Sequence, residues 1–188
     1  MTETSSQKYK AKRFVERVIA RLRPDSQGKT DNGFRAAMTR ADHEATAPQA
    51  WRFLLELGNV DLGKDWERQA FALVGAAMAR KRIVKNGDYS LGKALFCCKA
   101  DPKEADDSVE RRLRRILACE NRSELIAVLR QIIRYVQAKE VELDYECLLC
   151  DILDFSDWKK DRVKVQWAKD YYYGKGSMDE DAEEKEAE

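Results

Sequence analysis

Proline and glycine are scarce in this chain, at three and nine of 188 residues, and a single histidine is present. So few breakers, in a sequence rich in Ala, Leu, Arg, Lys and Glu, favour an all-α fold. Long apolar runs are missing too. The longest nearly apolar stretch, Ala70 to Ala79, is too short for a bilayer and is broken by Gly75. No apolar signal-peptide core stands at the start, so no membrane is expected and the expected compartment is the cytoplasm. One histidine, His43, in a polar segment without a partnered nucleophile leaves little for acid–base or nucleophilic catalysis. The phosphate loop, the H-E-x-x-H pair and the G-x-S-x-G elbow are all lacking. The expectation is a protein that is not an enzyme and carries no cofactor.

Five cysteines, an odd number lying mostly within helical apolar patterns, speak for reduced thiols. Cys147 and Cys150 form a C-x-x-C, but Leu148 and Leu149 between them are not turn formers. Packed thiols on one helix side are therefore expected in preference to a zinc or redox site. The carboxylates Asp42, Glu44, Asp106 and Asp107 flank helix starts, where they suit the dipole.

The formal charge of +1 hides an asymmetry. Residues 179 to 188 hold seven acids and one base, which leaves 34 bases against 27 acids on the body. A basic body favours a polyanionic partner. The tail has too little apolar surface to fold, so residues 175–188 are expected to be a disordered acidic segment that aids solubility or competes for the basic surface.

Residues 1 to 6 are polar and expected to fray. From Ala11 to Leu22 the apolar residues recur at three- and four-residue steps until Pro24 ends the helix. Thr46 and Pro48 resemble an N-cap and first-turn proline, ahead of a helix burying Trp51, Leu54 and Leu55. Asp65 opens a long helix closing on Arg80, Lys81 and Arg82. Asn86-Gly87-Asp88 reads as a mobile connector, and Ser90 caps a short helix through Cys98. Asp101-Pro102 marks a boundary between an N-terminal helical lobe, 1–98, and a C-terminal lobe, 107–174.

In the second lobe one helix turns Val109, Leu113, Ile116 and Leu117 inward. Asn121 and Glu124 form a capping box for the next, and Asp144 starts a third. Ser156 caps a fourth that carries Trp158, Val165, Trp167 and Tyr171 and stops at Gly174. The second lobe is thus expected to be a four-helix antiparallel bundle. Arg111 and Arg115, Arg130 and Arg134, and Lys160 and Lys164 are each four apart. Such pairs line up along a helix and can reach successive phosphates, although any one of them can equally be a solvated face.

Five segments together carry a family resemblance: the Arg-rich stretch around Arg35 and Arg40, Trp51-Arg52-Phe53-Leu54-Leu55, SLGKAL from Ser90, ERRLRRIL from Glu110, and WAKDYYY from Trp167. In their order and spacing the sequence resembles, over about residues 30 to 173, the CasB family, the small subunit of the type I-E CRISPR surveillance complex Cascade. The resemblance implies an all-helical protein in two lobes without catalytic activity. It implies a pair of copies set among other Cascade subunits, near guide RNA, and stabilisation of the R-loop with target DNA and its displaced strand. The helix before residue 24 and the acidic tail depart from the family pattern. The implied mechanism is electrostatic: guide pairing reads sequence while cations track the backbone. The expected phosphate contacts are Arg35, Arg40, Lys93, Arg111, Arg115, Arg130, Lys160 and Arg162. Arg52 joins them unless it pairs with Glu56. Trp51, Trp66, Trp158 and Trp167 could stack on bases, although aromatics at helical spacing more often belong to a core. The alternatives are a structural adaptor whose cations are only surface, and a helix-turn-helix regulator, for which no base-reading helix is found.

Overall fold

The computed structural model describes the backbone of residues 3–99 and 107–186, and the side chains of 6–99 and 108–173. Among the described residues the regular structure is helical: α1 (Glu3–Leu22), α2 (Asn32–Thr39), a 3-10 turn (Ala47–Ala50), α3 (Trp51–Gly58), α4 (Asp65–Lys81), α5 (Leu91–Cys97), α6 (Asp107–Leu117), α7 (Arg122–Ala138), α8 (Tyr145–Asp154) and α9 (Lys160–Glu186). None of these helices is long and apolar enough to cross a membrane.

The stripe on α1 is buried as its spacing predicts, with Ala11, Phe14, Val15, Val18 and Leu22 inside. Phe14 meets Phe71 of α4 edge to face at 4.9 Å between ring centroids. α4 is buried on all sides from Ala70 to Ala79, which explains its lack of amphipathic patterning. It is the central helix, touching α1, α2, α3, α7 and α8. α8 lies against α1, and the most extensive helix pair is α5 with α9. The N-terminal and C-terminal helices therefore share one core cluster. α5, which lies before the expected boundary, packs on α9 and α6 behind it. A buried Gln137 of α7 donates from Nε2 to the Ala77 carbonyl of α4 at 2.9 Å and to the Tyr145 hydroxyl of α8 at 2.7 Å. One amide of α7 thus meets polar groups of two other helices in a setting where an unmet one costs about 1–3 kcal/mol.

Several expectations need correction. The connector at Asn86-Gly87-Asp88 is pinned, because Gly87 N donates to Leu143 O at 3.2 Å, Tyr89 N to Glu142 O at 3.2 Å and Asp144 N to Tyr89 O at 2.8 Å. Asn86 reinforces this with bonds to the Asp144 carboxylate and the Tyr145 amide. The turn signal was real, but the partner segment lies more than fifty residues away. Gly87 is required there: a Cβ would stand 2.5 Å from the Glu142 carbonyl oxygen. Thr46 does not cap; its hydroxyl donates to the Arg40 and His43 carbonyls. Asp42 serves an ion pair with Arg80 of α4 at 3.0 Å rather than a helix dipole. Asp106 lies outside the described residues.

Asn121 caps α7 as expected, accepting from Glu124 N at 2.9 Å, while the Glu124 carboxylate accepts from Glu120 N. Trp158 is 96% exposed in the turn before α9, and Val165 is half exposed. With α9 starting at Lys160, Trp158 has no helical face to share with the buried Trp167. The stop expected at Gly174 is not taken. The backbone of α9 continues to Glu186, through a stretch whose Glu, Lys and Ala residues are good helix formers, despite two glycines at about 1 kcal/mol each. α1 likewise begins at Glu3, within the stretch expected to fray.

Candidate nucleic-acid interface

On α6 the residues Val109, Leu113 and Ile116 face the core. This places Ser108, Arg111, Arg112 and Arg115 on the opposite face at three-, four- and seven-residue steps. α7 buries Leu125, Val128, Leu129, Ile132, Ile133 and Val136 and turns Arg130, Gln131, Arg134 and Tyr135 outward or to the side. The two helices enclose a cleft of about 370 Å³ lined by Arg111, Arg112, Arg115, Gln131 and Tyr135, and among the described residues no carboxylate lines it. Arg112 lies 3.9 Å over the Tyr135 ring and donates to the Ser108 carbonyl at 2.7 Å. Arg115 donates to the Gln131 amide oxygen at 3.1 Å. Arg111 is exposed and has no ion pair among the described residues. Three guanidiniums line one cleft, two of them held by neutral partners, and their like charges repel one another until an anion enters. The arrangement can bind phosphate.

The other sequence-predicted residues are dispersed. Arg130 lines a second groove with Arg134 on the opposite flank of α7. Arg35 on α2 is half-buried, and its Nε has no hydrogen-bond partner. Arg40 is exposed where α2 ends. Arg52 lies 4.3 Å over the Phe53 ring. It does not take Glu56, which accepts from Arg21 at 2.5 Å. Lys93 stands 5.4 Å over Phe96 on α5.

Lys160 and Lys164 both donate to Glu120, each at 2.8 Å, and tie α9 to the α6–α7 turn. The hydrogen bond from Lys160, then that from Lys164, pushes the Glu120 carboxyl down to about 2. Arg162 lies 3.5 Å from Asp154 and lines a separate cavity of about 500 Å³ with Asp144, Glu146 and Asp151. The latter surroundings are acidic, and neither site opens on the arginine cleft. Arg112 and Tyr135 were missed in the sequence. The signal that locates Arg112 is the polar stripe Ser108, Arg111, Arg112, Arg115, which is as periodic as the apolar one.

The remaining candidates resolve simply. Burial pushes the Cys150 thiol up to about 12 and Cys147 further, so both persist as packed protonated thiols. Among the described residues no group of three or more His, Cys, Asp or Glu is placed to hold a metal. His43 is exposed in a turn at the rim of the second groove.

Residues 34–172 match the family CRISPR-associated protein Cse2. The Cse2 protein of Thermus thermophilus is 31% identical over 126 residues, covering 65% of this chain and 69% of that protein. A crystal structure of a Cse2-family protein from Thermus thermophilus aligns with a TM-score of 0.66 at 28% identity, over 86% of this chain and 97% of the other. A chain of a solved CRISPR RNA-guided surveillance complex aligns with a TM-score of 0.74 over 93% and 98%; at 23% identity it shows the likeness of fold.

Proposed function

We propose, from the premise that the chain belongs to the CRISPR-associated Cse2 family, that it is a non-catalytic subunit of an RNA-guided surveillance complex. Its cations hold the sugar-phosphate backbone of the guide RNA–target DNA R-loop, including the displaced strand. The observation that carries this reading is the α6–α7 cleft, where Arg111, Arg112 and Arg115 converge without a described carboxylate. Base pairing reads the sequence in such an assembly, so the protein needs phosphate contacts and no base code. In this reading the chain works in the cytoplasm beside a second copy and the other subunits. The acidic residues beyond 178 lie outside the matched region and weaken the field that the body presents.

Salt titration of oligonucleotide binding tests it. Each phosphate contact contributes about 0.7 to the slope of log K against log salt for a single strand and about 0.9 for a duplex. The double variant Arg111→Ala/Arg115→Ala is expected to flatten that slope by about 1.5 and to lower R-loop stability in the assembled complex. An adaptor whose cations are only surface would keep both values. Conversely, Glu120→Gln is expected to steepen the slope, because Lys160 and Lys164 lose the carboxylate they share. The same titration reads this change.

A further inference from the structure

We infer that the second groove, on the far flank of α7 from the arginine cleft, receives an unpaired nucleobase stacked on Trp51. The inference rests on the reading of the cleft as a phosphate site. The groove encloses about 700 Å³ between the 3-10 turn, α3, α4 and α7. Its wall carries Trp51, Pro48, Arg68, Arg130 and Arg134.

Of the four tryptophans, Trp167 is fully buried and Trp66 lies 4.2 Å beneath the Arg122 guanidinium. Trp158 projects alone from a turn. Trp51 is 37% exposed on the wall of a groove, with Arg68 5.7 Å from its ring centroid. Arg68 is itself fixed, paired with Asp65 at 2.6 Å and donating to the Leu62 carbonyl at 2.8 Å. The ring is thus held in place with part of its surface open, the condition for a stacking platform.

The charge pattern separates the two sites. Three carboxylates, Asp42, Glu44 and Asp65, line the groove with its three arginines, and two of them are already paired, with Arg80 and Arg68. A sugar-phosphate chain gains little from so balanced a lining. A neutral base, which needs a flat apolar partner and both donors and acceptors at its edge, fits it better. Arg130 and Arg134 supply the guanidinium donors on the α7 side of the groove. The two sites flank the same helix: Arg130 and Arg134 line the groove, while their neighbours Gln131 and Tyr135 line the cleft. A single strand whose phosphates lie along the cleft can therefore place a base across the exposed ridge of α7 onto Trp51.

The test compares two single-stranded oligothymidylates of equal length and charge, one of them carrying abasic sites, by fluorescence anisotropy with the full chain. The intact strand is expected to bind about tenfold or more tightly than the abasic one. Trp51→Leu should bring the ratio close to one without altering the salt slope, and Trp51→Phe should restore most of it. Thermal unfolding checks that both variants fold. Equal affinity for the two strands with a normal salt slope, or a ratio that survives Trp51→Leu, overturns the base site and leaves the arginine cleft standing. Salt-independent or absent binding of both strands overturns the cleft, and the base site with it.

Discussion

Replacing Gly92 by alanine is expected to destabilise the protein by about 3 kcal/mol or more, enough to lower its melting temperature by roughly 6–12 °C. Gly92 is the second residue of α5, where α9 crosses most closely. A Cβ there would penetrate the Trp167 carbonyl oxygen and stand 2.9 Å from both the Trp167 carbonyl carbon and Asp170 Cβ. The obstacle is helical backbone, which cannot swing aside as a flexible side chain does. Ser90 also loses its place, since its hydroxyl is 2.5 Å from the Asp170 carboxylate across the same crossing. The general gain of about 1 kcal/mol for Gly→Ala within a helix is overwhelmed. Gly33→Ala supplies the control. That glycine is also helical, its nearest contact would be 3.6 Å, and the variant should be neutral or slightly more stable. Urea unfolding of both variants reads the difference directly.

Asp151→Asn is expected to have the opposite sign, and to have it only at neutral and alkaline pH. Burial pushes the Asp151 carboxyl up to about 7 from an ordinary 3.8, against the hydrogen bond donated by the Trp167 indole at 2.6 Å. The carboxylates of Asp170, Asp154 and Asp144 push the same way as burial, and the Cys147 thiol lies 3.9 Å off. Because the folded chain holds this proton more tightly than the unfolded one, stability falls as pH rises from about 4 to about 7. The asparagine variant carries no such charge and can still accept from Trp167. Its advantage should be near zero at about pH 4 and grow to on the order of 2–4 kcal/mol above pH 7. Thermal melts of the two proteins across that range test the sign and the window.

The long helices were legible in the sequence because their order is local. α1 and α7 each show one apolar stripe against a polar remainder, and Pro24 and Asn121 punctuate them. Trp158 was grouped with Trp167 on a single expected helix, but nine residues at about 100° each put the two on opposite sides of a helix, and α9 starts only at Lys160, beyond Trp158. The connector around Gly87 was opaque, since its partners lie at residues 142–145 and no local pattern announces them. The site was half legible. Arg111 and Arg115 stand out by spacing, whereas the commitment of Lys160 to Glu120 and of Arg162 to Asp154 depends on how α9 meets the α6–α7 turn and α8. Two of the segments that carried the family resemblance acquire physical reasons. The run ERRLRRIL contains all three cleft arginines, and SLGKAL contains the glycine that admits α9.

The Gln137 amide, reaching the Ala77 carbonyl and the Tyr145 hydroxyl at once, makes the two halves of the chain interdependent. A gene split between them would not yield a pair of portable modules. Each fragment is expected to expose the apolar face that the other now covers, so that neither is expected to serve as a stand-alone cassette.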